Sequence, residues 1–267
     1  MRLPLLLLLL LLVPVLARAQ TAASAEAAAQ ATGLRRASQL VLERRYESAW
    51  KLLKALDQLN TEPAVVLKKT EVALNYHIGT EGLTYFAFRD LSLLEPSIDS
   101  LRQLGKDSVR YTFPVRKALE KLKDKYPDNY KLDRALGDYY FAVQQCDCAE
   151  PELEEDEVFQ RIVKYYQLAH ARGQGDYVSY YALGYAYQRL GQFKESLAPF
   201  ERSIQLRKDY PTSHLNLAFV YLELKDFEQA RAHARRALAL FPDAAHKEDA
   251  TFLLSQIEER MKTAKTP

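Results

Sequence analysis

The residues best equipped for chemistry in this 267-residue chain are its two cysteines, Cys146 and Cys148, one residue apart. A thiol pair at this spacing can close on itself in a small strained ring, pair with other chains, or stay free. It can also give a metal two ligands, but a metal needs further donors. His77, His170, His214, His233 and His246 are scattered at no ligand spacing, so no metal and no cofactor is expected. Near the cysteines lie Asp147, Glu150, Glu152, Glu154, Glu155, Asp156 and Glu157. They lack the Asp/Asn and Gly order of a calcium loop. Glu154 to Glu157 read as acids at the start of a helix, where they complement the positive end of its dipole. The chain has no G-x-S-x-G, no H-E-x-x-H and no glycine-rich phosphate loop. No catalytic residue is therefore assigned, and a non-enzymatic role is expected.

The start of the chain bears on the redox environment of that thiol pair. Met1 and Arg2 precede a run from Leu3 to Leu16 that is apolar apart from Pro4 and Pro14, followed by Ala17-Arg18-Ala19. This order predicts a secretory signal peptide over 1–19, cleaved after Ala19. The run is short for a membrane span of about 20 residues, although a retained anchor is the rival reading. An exported chain of bacterial type, periplasmic or secreted, meets an oxidising compartment, which makes a disulfide between Cys146 and Cys148 a candidate. Cleavage removes Arg2 and Arg18 and leaves 35 basic against 35 acidic residues. That balance argues against a nucleic-acid binder, whose affinity comes from phosphate neutralisation. Residues 20–33 read as a flexible Ala-rich leader.

Nine glycines amid plentiful Ala, Leu, Glu, Lys and Arg predict a nearly all-helical chain. Residues 34–129 read as divergent helical repeats. A hairpin spans Gly33 to Asn60, with Leu40, Leu42, Tyr46, Ala49, Trp50, Leu53 and Leu56 on one face. A weaker helix pair is expected from Ala64 to Leu94, broken near Gly79 to Gly82, then a short helix over Ile98–Leu104 and another over Pro114–Tyr126. Downstream a pattern is written twice at a 34-residue interval. Leu183, Gly184, Tyr187, Leu190 and Phe193 recur as Leu217, Ala218, Tyr221, Leu224 and Phe227. Ser196 and Ser203 recur as Ala230 and Ala237. Leu136, Gly137 and Tyr140 begin a third copy at a spacing of 47, while Phe159, Phe193 and Phe227 restore the interval of 34. The difference is an insert at about 144–157, which carries both cysteines. A last helix from Glu248 presents Phe252, Leu253, Ile257 and Met261 on one side, and residues 245–267 read as a cap and tail.

These residues resemble the tetratricopeptide repeat family. Its pattern of an aromatic, Leu-Gly and Tyr on a first helix, Gly and an aromatic at the turn, small residues on a second helix and a closing Pro fits Tyr180, Leu183, Gly184, Tyr187, Gly191, Phe193, Ser196, Phe200 and Ser203. The next copy departs from it, with His214 at the aromatic position and Lys225 at the turn glycine. The resemblance implies an all-α, right-handed solenoid of antiparallel helix pairs, with three repeats over 130–244 and a C-terminal capping helix. It also implies a concave groove, lined by the first helices, that takes a peptide or protein segment. The matching positions are Tyr181, Tyr185, Gln188 and Arg189, then Leu215 and Phe219, and Arg134 and Phe141 in the copy with the insert. Exposed aromatics beside arginine suit a binding hot spot. The rival for Tyr185 and Phe219 is simple packing against neighbouring helices. The expected function is a non-enzymatic interaction scaffold of the cell envelope with a protein or peptide partner. The alternative is a small-ligand or glycan-binding protein that uses the same aromatics, and self-association through the groove is a further expectation.

Overall fold

The computed structural model describes residues 25–92, 94–104, 110–146 and 153–264. The predicted signal peptide and residues 147–152 of the insert, Cys148 among them, lie outside these residues. The chain forms two compact units, one up to Pro114 and one from Val115 onward.

The first unit opens with helix α1 (25–42) and α2 (Tyr46–Leu56). Residues 25–33, expected as a flexible leader, are helical. Of the apolar stripe read from the sequence, Leu40, Tyr46, Ala49, Trp50 and Leu53 are buried, but Leu42 is 79% exposed at the end of α1. Helix α3 (Pro63–Tyr76) starts on a proline, whose missing N–H costs nothing there. The α2–α3 loop is closed by Asp57, which accepts from the backbone N–H groups of Thr61 and Glu62 at 3.1 and 3.0 Å. Buried Lys69 completes the closure by donating to the Asp57 carbonyl and, at 2.7 Å, to Asn60.

The expected second helix of the Ala64–Leu94 pair is absent. The chain instead builds strands β1 (Gly79–Glu81) and β2 (Tyr85–Ala87), and β3 (Tyr111–Thr112) pairs beside β2 in an antiparallel sheet. Gly82 and Leu83 both take positive φ, 56° and 48°, as a tight hairpin turn requires. Between β2 and β3 lies α4 (Ile98–Leu104), as expected. The sheet exists because Phe86, Phe88, Tyr111 and Phe113 gather on Trp50. Trp50 stacks on Phe88 at 4.7 Å between centroids and meets Phe113 edge-on at 5.5 Å. Residues two apart on a strand share a face, and that alternation, not a helical one, fits Phe86 and Phe88.

Among the described residues the second unit is a run of eight helices: α5 (Val115–Lys125), α6 (Tyr130–Gln145), α7 (Glu155–His170), α8 (Tyr177–Arg189), α9 (Phe193–Leu206), α10 (Pro211–Glu223), α11 (Phe227–Leu240) and α12 (Ala244–Thr263). They pack as consecutive pairs, α6 on α7, α8 on α9 and α10 on α11, with α12 laid on α11. The small residues of the 34-residue pattern show why. A Cβ added to Gly137 would stand 2.7 Å from the Tyr166 ring, and one on Gly184 would stand 2.8 Å from the Phe200 ring. Each glycine admits a bulky aromatic from the partner helix. At the same two positions of the third pair stand Ala218 and Ala234, both fully buried in one cluster. Glycine plus aromatic and alanine plus alanine are two solutions to one packing problem.

The turn position repeats as well. Gly191 has φ 70° between α8 and α9, and Lys225, 34 residues on, keeps φ 63° between α10 and α11. The left-handed turn is therefore retained where its glycine is lost, at a conformational cost. Helix α12 takes the place of a next first helix. Phe252 corresponds in register to Gly184 and Ala218, and is 66% exposed. Thr251, directly before it, and Ser255, three residues on, are exposed as well.

Candidate functional site

The predicted groove residues lie on α6, α8 and α10, the first helices of the three pairs. Asp176 sets the start of α8. Its carboxylate accepts from the Ser179 N–H at 2.8 Å, and Ser179 Oγ accepts from the Asp176 N–H at 3.0 Å. This reciprocal cap fixes the rotation of the helix, and hence which residues turn toward the neighbouring first helices.

From that start, Tyr181 is buried rather than presented. Its ring is 8% exposed, edge-on to Phe141 at 6.2 Å and to Tyr210 at 5.6 Å, and 6.0 Å from Phe200. Burial raises its phenol far above the ordinary range. Tyr181 is drawn into the packing between the helices and offers a partner little surface. Phe141 on α6 is half-buried against it.

Tyr185, one turn on, is half-buried and meets Phe159 of α7 edge-on, with centroids 6.0 Å apart and planes at 69°. Phe219 on α10 repeats the contact with Phe193 of α9 at 6.2 Å and 65°. Both pairs are 26 residues apart in sequence and separated from each other by one 34-residue repeat. Each groove aromatic thus leans on the first residues of the preceding second helix and keeps part of its ring outside. Leu215 packs toward Ala237, Phe241 and Ala250. Gln188 is half-buried, and its Oε1 has no hydrogen-bond partner.

The two arginines differ in their availability. Arg189 is exposed, stacked on Phe159 at 5.0 Å, donates to Tyr185 Oη at 2.9 Å and pairs with Glu155 at the start of α7. An ion pair this exposed is worth little, at most about 1 kcal/mol. Arg134 is committed to the fold. It donates to both oxygens of Asp138 (2.9 and 3.1 Å), to the Gln174 carbonyl (3.1 Å) and to Asp176 (2.9 Å), and lies over the Tyr166 ring. Tyr166 donates to Asp138 at 2.9 Å. Burial pushes the Asp138 carboxyl up, and Arg134 opposes that shift. Arg134 therefore bolts α6 to α7 and to the α7–α8 loop, and is not a groove contact.

One constellation has the composition of a nucleophile and base. His170 Nε2 is 3.0 Å from Ser179 Oγ. Ser179 is fully buried, however, and its Oγ is already engaged with the Asp176 carbonyl. The His170 ring is held between Tyr166 and Tyr180, at 5.6 and 4.0 Å. Burial and then Arg134 push it down to about 4. This is a neutral imidazole held by packing. Cys146, at the end of α6, is disulfide-bonded; Cys148 lies outside the described residues. Among the described residues no three His, Cys, Asp or Glu side chains gather as a metal site, and no helix is long and apolar enough to cross a membrane.

The sequence reading missed Phe159 and Glu155 on α7, which complete the cradle around Arg189. The signal was available: Phe159, Phe193 and Phe227 share the 34-residue interval, as do the groove positions Tyr185 and Phe219.

Residues 177–243 match the model of the tetratricopeptide repeat family. No curated protein matches the chain in sequence. Among solved structures, a MamA mutant is similar at TM-score 0.53 and 18% identity, over 81% of this chain and 97% of its own. MamA from AMB-1 is similar at TM-score 0.51 and 20% identity, over 79% and 98%. MamA from Desulfovibrio magneticus RS-1 reaches TM-score 0.50 at 13% identity, over 79% and 94%. Such identities show a shared fold and nothing finer. Repeats of this family generally mediate protein–protein interaction, and the fold is typically a non-catalytic scaffold. By their packing and by this match, residues 177–243 carry tetratricopeptide repeats.

Proposed function

We propose that this chain is a non-enzymatic scaffold of the cell envelope that holds a peptide or protein segment along α6, α8 and α10. The observation that carries the reading is the repeated aromatic pair. Tyr185 on Phe159 and Phe219 on Phe193 place two half-buried rings in register, one repeat apart. Each ring is backed by a second one and so is rigid before a partner arrives, which lowers the entropic cost of binding. Arg189 stands beside Tyr185 and adds a stacked guanidinium to the same strip. The location follows from the residues preceding the fold, whose charge, apolar run and Ala17-Arg18-Ala19 have the order of a cleaved export signal.

The test is affinity capture from envelope extract with the full chain and with Tyr185→Ala/Phe219→Ala. The wild type is expected to retain a discrete partner that the double variant loses, while circular dichroism shows the helical fold intact. Equal capture by both chains refutes the groove.

A further inference from the structure

His214 on α10 and His233 on α11 face each other inside the last repeat. Their Nδ1 atoms are 3.0 Å apart, and their rings stack with centroids 5.2 Å apart and planes at 29°. His214 is 7% exposed, and its Nε2 lies 3.2 Å from the Lys208 carbonyl oxygen. A carbonyl only accepts, so His214 carries its hydrogen on Nε2 and leaves Nδ1 bare. The hydrogen between the rings must then come from His233 Nδ1. The preceding repeat has Tyr180 and Pro199 at these positions, so the pair is particular to the last one.

We propose that His214 and His233 form a proton-sensitive joint that holds α10 to α11 at neutral pH and releases them in acid. The contact has room for one hydrogen. A first added proton must go to His233 Nε2 and puts a charge on a half-buried ring. A second must go to His214 Nδ1 and sets two N–H groups against each other at 3.0 Å, which breaks the contact. In an opened segment both imidazoles protonate freely near 6.5. The folded form therefore binds fewer protons than the opened one, and acid favours opening.

The surrounding charges do not reverse this sign. Arg236 on α11 disfavours a charge on His214. Tyr221 on α10 lies flat on His233 at 5.7 Å, and its hydroxyl donates to Glu201 of α9. On α12, Glu258 pairs with Arg235 of α11 and Arg260 with Glu223 of α10. Resting on the function proposed above, release of the joint also dismantles one end of the groove, because α10 carries Leu215 and Phe219, and a bound segment leaves as pH falls.

Two measurements on the full chain decide it. Imidazole nitrogen NMR at pH 7.5 is expected to show hydrogen on Nε2 of His214 and on Nδ1 of His233; the reverse assignment overturns the joint. Hydrogen exchange, corrected for intrinsic rates, is expected to show α10 and α11 losing about tenfold or more of their protection between pH 7.5 and 5, as release coupled to one proton allows. The same segments in His214→Phe/His233→Leu are expected to lose far less. An equal loss in that variant, or none in the wild type, overturns the proposal. If the variant does not fold, the hydrogen positions and the wild-type exchange decide alone.

Discussion

Gly184→Ala is predicted to destabilise the protein when Phe200 is present and to stabilise it when Phe200 is replaced. An added Cβ would stand 2.8 and 2.9 Å from Phe200 Cδ1 and Cε1, closer than real Cβ contacts allow. Phe200 is fully buried, so its ring cannot step aside unless α8 and α9 move apart. Overpacking of this kind costs about 1–3 kcal/mol. Alanine recovers about 1 kcal/mol over glycine in a helix interior, which leaves a net loss of up to about 2 kcal/mol. Phe200→Ala alone costs about 3–5 kcal/mol, mostly through the cavity it leaves. In that background the new methyl enters the vacated space, so both its burial and its helix propensity favour folding, by about 1–2 kcal/mol. The two sites are therefore coupled by about 1–4 kcal/mol. The chain contains its own precedent in Ala218 and Ala234, which share a core cluster at the same two positions. Urea denaturation of the four chains of the cycle, followed by circular dichroism, measures the coupling. The same sign for Gly184→Ala in both backgrounds refutes the packing argument.

Three further outcomes follow from the same geometry. Lys225→Gly relieves a left-handed lysine at φ 63° and should raise stability by about 0.5–1 kcal/mol in a thermal melt, with no change in fold. Asp176→Ala removes the cap of α8 and a partner of Arg134 together, and should cost about 1–3 kcal/mol, more than a simple cap, read as a lower urea midpoint. Acid should weaken the second unit through His170, whose imidazole stays neutral down to about 4 when folded but protonates near 6.5 when unfolded. The contribution is fully present above about pH 6.5 and is lost as pH falls toward 4. With a discount for partial exposure, the loss by pH 5 is about 1 kcal/mol, and urea midpoints of His170→Gln at pH 7 and 5 should differ by correspondingly less than those of the wild type.

The second unit was legible because its packing rule is local and repeated. Gly137 and Gly184 announce aromatics across the helix pair, and the 34-residue echo locates each partner. The insert was visible as the mismatch between spacings of 47 and 34. The first unit was misread because a run such as Thr84 to Phe88 is too short to separate strand from helix by period. Its sheet is decided by Trp50, Tyr111 and Phe113, which lie far away in sequence. The expected groove positions fall on first helices, but which of them stay available was not legible. Tyr181 and Arg134 occupy the expected face, yet contacts from Tyr210, Asp138 and Asp176 draw them into the fold, and no spacing rule reveals those contacts. Arg189 stayed available because its partner Glu155 is itself exposed.

The central claim, that first-helix aromatics receive a protein segment, is tested most directly by site-specific photo-crosslinking. A benzoylphenylalanine placed at Tyr185 or Phe219 is compared with one at Val163 or Leu168, on a surface of α7 outside the aromatic strip. The account predicts discrete adducts from the two groove positions and none from α7. Adducts from α7 with none from positions 185 and 219 contradict it.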